Sequence, residues 1–212
     1  MTAVRPEELK RILEEGEIAI DVRSGQDFAA RHVPGSVNIS LSGQFASWAG
    51  TLVELKARPV LIADTPEQLA EARTRLARIG LDQQRGYLEG GVKGWEEAGF
   101  ESASLPQMSV QDLHEHLKSR VPHVIDVRRG PEWQAGHIGG AMLHPLDGFK
   151  AALPDLQPDK PVIVICKSGY RSSVACSLLQ RAGFRNVTSV IGGFDAWRKA
   201  GLPVVTEDLV AA

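Results

Sequence analysis

The chain is written twice. The segment IAIDVRSGQDFAARHVPGSVNI, starting at Ile18, matches HVIDVRRGPEWQAGHIGGAMLH, starting at His123. Asp21 recurs as Asp126, His32 as His137 and Gly35 as Gly140, each 105 positions on. Further along, LEGGVKGWEEAGF from Leu88 matches IGGFDAWRKAGL from Ile191, and PVLIAD (Pro59–Asp64) matches PVIVIC (Pro161–Cys166), both at 102. Three blocks in the same order exclude chance similarity. The period is domain-sized, unlike the roughly 20–50 residues of a solenoid repeat. Two tandem homologous domains follow, residues 1–103 and 107–212, with the break in ESASLPQMSV around Pro106.

Strand and helix signals alternate within each copy. Ile18–Val22, Val60–Ile62, Val124–Val127 and Val162–Ile165 are short β-branched runs of buried strands. Helical periodicity fills Pro6–Glu15, Glu67–Ile79, Val110–Ser119 and Ser172–Ala182, and Gly80 and Gly183 stand as left-handed caps after two of them. This alternation predicts an α/β architecture with a mainly parallel sheet covered on both faces. At 43% hydrophobic and 24% charged residues the chain has the composition of a globular protein. A net charge of −2 gives no bulk attraction to nucleic acid or an anionic membrane, so neither is expected as a partner. No apolar stretch approaches the roughly 18 residues of a membrane span, and MTAVRPEELK is not a signal peptide. A cytoplasmic location is expected.

The chemistry concentrates at one loop. The apolar run PVIVI stops at Cys166-Lys167-Ser168-Gly169-Tyr170-Arg171, and a helical pattern begins at once. Open α/β sheets bind ligands at such strand-to-helix turns. Successive backbone N–H groups there form an anion nest, and the helix dipole adds to it. Gly169 permits a positive φ, and Lys167 and Arg171 add two cations. Each favours a thiolate at Cys166, making it a nucleophile in an anion cradle that would also hold an oxyanion. Cys176 falls mid-helix among Val174, Leu178 and Leu179 and is expected in the core. The two cysteines lack zinc-ligand spacing, and His114 and His116 point to different helix faces, so no metal is expected.

Together, the loop CKSGYR, the upstream DVR…EW…GHIGGA (Asp126–Ala141) and the downstream VIGGFDAW (Val190–Trp197) resemble a rhodanese domain. The resemblance covers both copies and implies a five-stranded sheet in each. It also implies a sulfurtransferase without a cofactor. Cys166 would take a sulfane sulfur from thiosulfate or a low-molecular-weight persulfide and pass it to cyanide, sulfite or a thiol. Lys167, Ser168, Gly169, Tyr170 and Arg171 would bind substrate. Asp126 would brace the loop by accepting its N–H groups or by pairing with an arginine. Arg128 and Glu132 would complete the network, with Glu132 a candidate to hold Arg171. Two-domain thiosulfate sulfurtransferases carry an arginine where Glu132 stands, which leaves persulfide donors open. His32 and His137 occupy scaffold positions. Four residues separate Cys166 from Arg171, one fewer than in the phosphatase and arsenate-reductase relatives of the fold. Sulfur transfer therefore ranks above phosphoryl or arsenate chemistry, and a non-catalytic sulfur-sensing or interaction module is the other alternative.

The first copy reads as inactive. Asp64 is expected where Cys166 has its counterpart, followed by a loop one residue shorter that lacks glycine and arginine. Pro66 removes an N–H donor and suits the first position of a helix. Such a copy would cover one face of the active domain and wall its cleft, or bind a partner. An inactive followed by an active repeat, with GQFASWAG (Gly43–Gly50) in the first, also resembles the C-terminal part of bacterial persulfide dioxygenase–rhodanese fusions. The chain starts at Met1 and has no HxHxDH-type motif, so it reads as a free-standing tandem or an excised half, with a persulfide dioxygenase as candidate partner or fusion.

Overall fold

The structure is a computed structural model describing residues 1–119 and 123–206. It divides into two units, the first from Met1 to Leu105 and the second from Pro106 onward. Hydrogen bonds mark the change: the Leu105 N–H donates to Ala29 O in the first unit, while Pro106 O accepts from Ser189 N–H in the second.

The first unit runs β1 (Ala3–Val4), α1 (Pro6–Glu14), β2 (Ala19–Asp21), α2 (Gly25–Ala30), β3 (Val37–Asn38) and α3 (Phe45–Leu52). It continues with β4 (Val60–Ile62), α4 (Pro66–Ala77), β5 (Gly86–Leu88) and α5 (Gly91–Glu97). The second unit repeats the order: β6 (Gln107–Met108), α6 (Val110–Ser119), β7 (His123–Asp126), α7 (Gly130–Gln134) and β8 (Met142–Leu143). A 3-10 turn (Leu146–Gly148), β9 (Val162–Ile165), α8 (Tyr170–Arg181), β10 (Val187–Val190) and α9 (Gly193–Lys199) complete it. Each unit is an α/β domain with a five-stranded parallel sheet, ordered β1-β5-β4-β2-β3 and β6-β10-β9-β7-β8.

The apolar runs suit the inside of such a sheet. A strand buried on both faces reads as a continuous hydrophobic stretch, and β9, VIVI, is buried throughout. Alternate residues then feed two cores. Ile163 and Ile165 join Val110 and Leu113 of α6 and Phe194 and Trp197 of α9, while α8 packs along β9 and β10. In the first unit Leu9 and Ile12 of α1 pack with Val60, Ile62 and Trp95. No described helix is long and apolar enough to cross a membrane.

The chain leaves β7 toward the β8 edge and leaves β9 toward β10. The carboxyl ends of β7 and β9 therefore flank the topological switch point, the ligand position of open α/β sheets. Asp126 closes β7, and Cys166 follows β9.

Sheet register corrects the expected counterpart of Cys166. Asp21 pairs with Ile62 in the first unit and Asp126 with Ile165 in the second. Likewise Val22 N–H donates to Ile62 O and Val127 N–H to Ile165 O. Ala63, not Asp64, therefore stands where Cys166 stands, and Asp64 matches Lys167. The expected one-residue deletion is also absent. Leu81 N–H closes onto Leu76 O as Phe184 N–H closes onto Leu179 O, and the intervals Ile62–Leu76 and Ile165–Leu179 are equally long. On this alignment Pro66 matches Gly169, and Gln68 matches Arg171.

Candidate active site

Cys166 is buried at the floor of the loop, 1% exposed. Among the described residues its Sγ has two hydrogen-bond partners. The Gly169 N–H donates to it at 3.1 Å, and the Ser172 hydroxyl lies 3.6 Å away. The sequence predicted several amides converging on the sulfur; one reaches it. The N–H groups of Lys167, Ser168 and Arg171 have no acceptor among the described residues. Loop amides are thus left open beside the thiol, as an anion cradle requires.

Two glycines shape this turn. Gly169 caps α8 with φ 103°, a left-handed conformation that brings its N–H back onto Sγ. Gly193 allows α9 to dock against the outside of the loop. Phe194 N–H donates to Cys166 O at 2.8 Å and Asp195 N–H to Lys167 O at 2.9 Å. The carbonyls of Cys166 and Lys167 are thus taken up by α9. A Cβ on Gly193 would meet Cys166 O and come within 2.6 Å of Lys167 C, and its φ of 58° is itself left-handed.

The cations divide into held and free. Both Arg171 nitrogens bind Glu132, NH1 to Oε2 at 2.6 Å and NH2 to Oε1 at 2.7 Å. That fork holds the Glu132 carboxyl well below its ordinary range, at about 2, and raises Arg171 in return. Lys167 and Ser168 are exposed, and Lys167 has no carboxylate partner among the described residues. Tyr170 opens α8, half-buried at the rim.

Asp126 takes the second of its two expected roles. Among the described residues the partners of its carboxylate all lie on Arg128: the backbone N–H at 3.0 Å, Nε at 2.9 and 3.0 Å, and NH2 at 2.6 Å. Arg128 in turn donates to Gly136 O at 2.8 Å and Glu132 O at 3.2 Å and covers the Phe194 ring at 3.9 Å. Asp21 and Arg23 form the same buried pair in the first unit, where Arg23 donates to Arg31 O at 2.8 Å. Burial there pushes the Asp21 carboxyl up against the opposing pull of Arg23. Because the pair exists with and without a cysteine, it braces the fold. The histidines brace it also. His32 stacks on Phe28 and bonds its carbonyl, and His137 does the same with Trp133.

The matching loop of the first unit, which has no cysteine, is built differently. Gln68 Oε1 accepts from Asp64 N–H at 2.8 Å and Thr65 N–H at 3.3 Å, inside a capping box with Thr65. These are the counterparts of the open amides of Lys167 and Ser168. Pro66, without an N–H, replaces the Gly169 donor. Asp64 sits 3.8 Å from Arg23.

A sequence profile described as the rhodanese-like domain matches residues 5–98 and again 109–200. The chain belongs to this family. Over 98 residues it is similar to the thiosulfate sulfurtransferase GlpE of Shewanella oneidensis, 31% identical, covering 46% of this chain and 97% of that protein. GlpE of Actinobacillus pleuropneumoniae is 30% identical over 105 residues, covering 50% and 97%. YrkF of Bacillus subtilis is 28% identical over 106 residues, half of this chain and 57% of that protein. Among solved structures, a rhodanese-related protein of Thermoplasma volcanium is 33% identical, covers 48% of this chain and 99% of its own, and has a TM-score of 0.45.

The sequence singled out the loop but missed Ser172, Ser189 and Gly193. Ser172 reads as an ordinary first-turn helix residue. Nothing in the sequence sets it apart, since Ser173 and Ser177 of the same helix are buried as well.

Proposed function

We propose that the chain is a sulfurtransferase whose second rhodanese unit carries a sulfane sulfur on Cys166. Family membership and similarity to thiosulfate sulfurtransferases support the reaction class. The observation that carries the assignment to this loop is the contrast between the repeats. Amides open beside a thiol in the second are, in the first, capped by Gln68 or replaced by Pro66 beside Ala63.

The chemistry divides into two displacements. In loading, the Cys166 thiolate attacks the outer sulfur of the donor. A Cys–S–S bond forms, the donor bond breaks, and sulfite leaves if the donor is thiosulfate. In discharge, the acceptor attacks that outer sulfur and the thiolate is released. Gly169 N–H holds Sγ, and the amides of Lys167, Ser168 and Arg171 receive the negative outer sulfur. Lys167 attracts the anionic donor. Arg171, tied to Glu132, fixes the start of α8 and contributes only part of its charge outward. That suits a low-molecular-weight persulfide as well as thiosulfate, in keeping with a persulfide dioxygenase as partner or source. The first unit is non-catalytic in this reading, and a reducing compartment such as the cytoplasm would keep Cys166 available.

The test is thiocyanate production from cyanide with thiosulfate or glutathione persulfide as donor. Repeated turnover that Cys166→Ser abolishes is expected. At most one equivalent per chain would favour a sulfur-sensing module instead.

A further inference from the structure

Beneath the loop three buried side chains form a line. Ser172 Oγ, 3.6 Å from Cys166 Sγ, is 2.9 Å from Ser189 Oγ. None of the three residues is more than 3% exposed. Ser172 lies in the first turn of α8 and Ser189 on β10. The two displacements above leave these two serines without a part.

A hydroxyl has one hydrogen and two lone pairs. Ser172 gives its hydrogen to Gly169 O at 3.0 Å and receives those of the Cys166 thiol and of Ser189. That arrangement fits a protonated Cys166. A thiolate has no hydrogen to give, and Ser172 is placed to turn its own onto the sulfur. Gly169 O is not stranded by the turn, because Ser173 N–H also donates to it at 3.2 Å. Ser189 keeps its hydrogen on Ser172 throughout, so the Ser172 hydrogen is the part free to move. One turn further along α8, burial pushes the Cys176 thiol up, so it stays neutral and adds no competing charge.

We propose that Ser172 is a catalytic hydroxyl that hydrogen-bonds the Cys166 thiolate as it leaves the sulfane sulfur, and that Ser189 is the positioning residue that aims it. The proposal rests on the sulfurtransferase reading. With cyanide as acceptor, its carbon lone pair forms the bond to the outer sulfur. The S–S bond breaks and its electron pair goes to Sγ, giving thiocyanate and the thiolate. Charge balances with no further reactant. Hydrogen bonding from Ser172 stabilises the charge arriving on Sγ. In loading, charge leaves Sγ, so the same bond opposes that step. The two half-reactions therefore respond differently to its loss.

The test uses the full chain as wild type, Ser172→Ala, Ser172→Thr, Ser189→Ala and the double alanine variant. Each is loaded with glutathione persulfide, read by intact mass, then discharged with cyanide and followed as thiocyanate. Ser172→Ala should slow discharge by about ten- to a hundredfold, the worth of a hydrogen bond to a charged group, without slowing loading. Ser172→Thr, which keeps the hydroxyl, should restore discharge. Ser189→Ala should slow discharge less and add nothing in the Ser172→Ala background. Equal slowing of both half-reactions by Ser172→Ala, or full additivity in the double variant, overturns the proposal. A wild-type chain that accepts no sulfur defeats the sulfurtransferase reading itself. Wild-type loading with unchanged discharge in Ser172→Ala defeats the hydroxyl role alone.

Discussion

Arg171 lies on Glu132 in a two-point fork, with nitrogen–oxygen distances of 2.6 and 2.7 Å between residues 39 positions apart. The contact ties the start of α8 to α7 and thereby fixes one side of the Cys166 loop. A carboxylate whose pKa is lowered by folding contributes stability that is complete above its unfolded value, here 4.5, and lost as pH falls through its folded value of about 2. Glu132→Gln should therefore be less stable than wild type by a constant margin above about pH 5, and the margin should close as pH falls toward 2. Urea unfolding of both chains at a series of pH values measures this. A margin that does not change across that window contradicts the assignment.

Gly193 sets the distance between α9 and the loop. Gly193→Ala places a methyl group against Cys166 O and Lys167 C, and both must move. Misplacement of the nucleophile predicts a loss of sulfur transfer on the order of a hundredfold. Gly91→Ala creates the matching contact with Ala63 O at 2.8 Å in the first unit. It should leave transfer near the wild-type rate, on the proposal that Cys166 of the second unit carries the sulfur. Steady-state thiocyanate formation by the two variants makes the comparison, and equal losses would contradict it.

Ala63→Cys restores the thiol but not its surroundings. Gln68 still occupies the amides of Asp64 and Thr65, and Pro66 still lacks an N–H. In a Cys166→Ala background, Ala63→Cys should take up no stable sulfur by intact mass. A sulfur adduct at the substituted position, formed at wild-type yield, would show that a thiol alone suffices and that the open amides matter little.

Arg128 is locked by Asp126, two carbonyls and the Phe194 ring. Arg128→Ala leaves a buried carboxylate without its counter-charge, which costs about 3–5 kcal/mol. Arg23→Ala in the first unit should cost a similar amount, since the pair there is built the same way. Urea unfolding gives both values. A loss below about 1 kcal/mol would mean the pair braces little.

The candidate loop stands out in the sequence because an apolar run ends abruptly at Cys166 and a helix begins a few residues on. The alternation of strand and helix signals carried the fold class, and the long helices α1, α4, α6 and α8 lie within two residues of their predicted bounds. The counterpart of Cys166 was misread for a physical reason. PVLIAD and PVIVIC are apolar on both faces, so no alternation pins their register, and matching Pro59 to Pro161 slides the strand by one residue. Only the ladder, Asp21 to Ile62 against Asp126 to Ile165, restores it. Helices α2, α5, α7 and α9 hold seven residues or fewer, too short to display a period. The Ser172–Ser189 contact joins residues 17 positions apart and left no sequence signal.

The central claim is that the second loop, and not the first, binds sulfur on Cys166. Intact mass of the full chain after exposure to glutathione persulfide or thiosulfate tests it most directly, with peptide mapping to place any added atom. One sulfur on Cys166, none on Cys176 and none in Cys166→Ser is the predicted result. An unchanged mass under saturating donor, or an adduct that persists in Cys166→Ser, would contradict it.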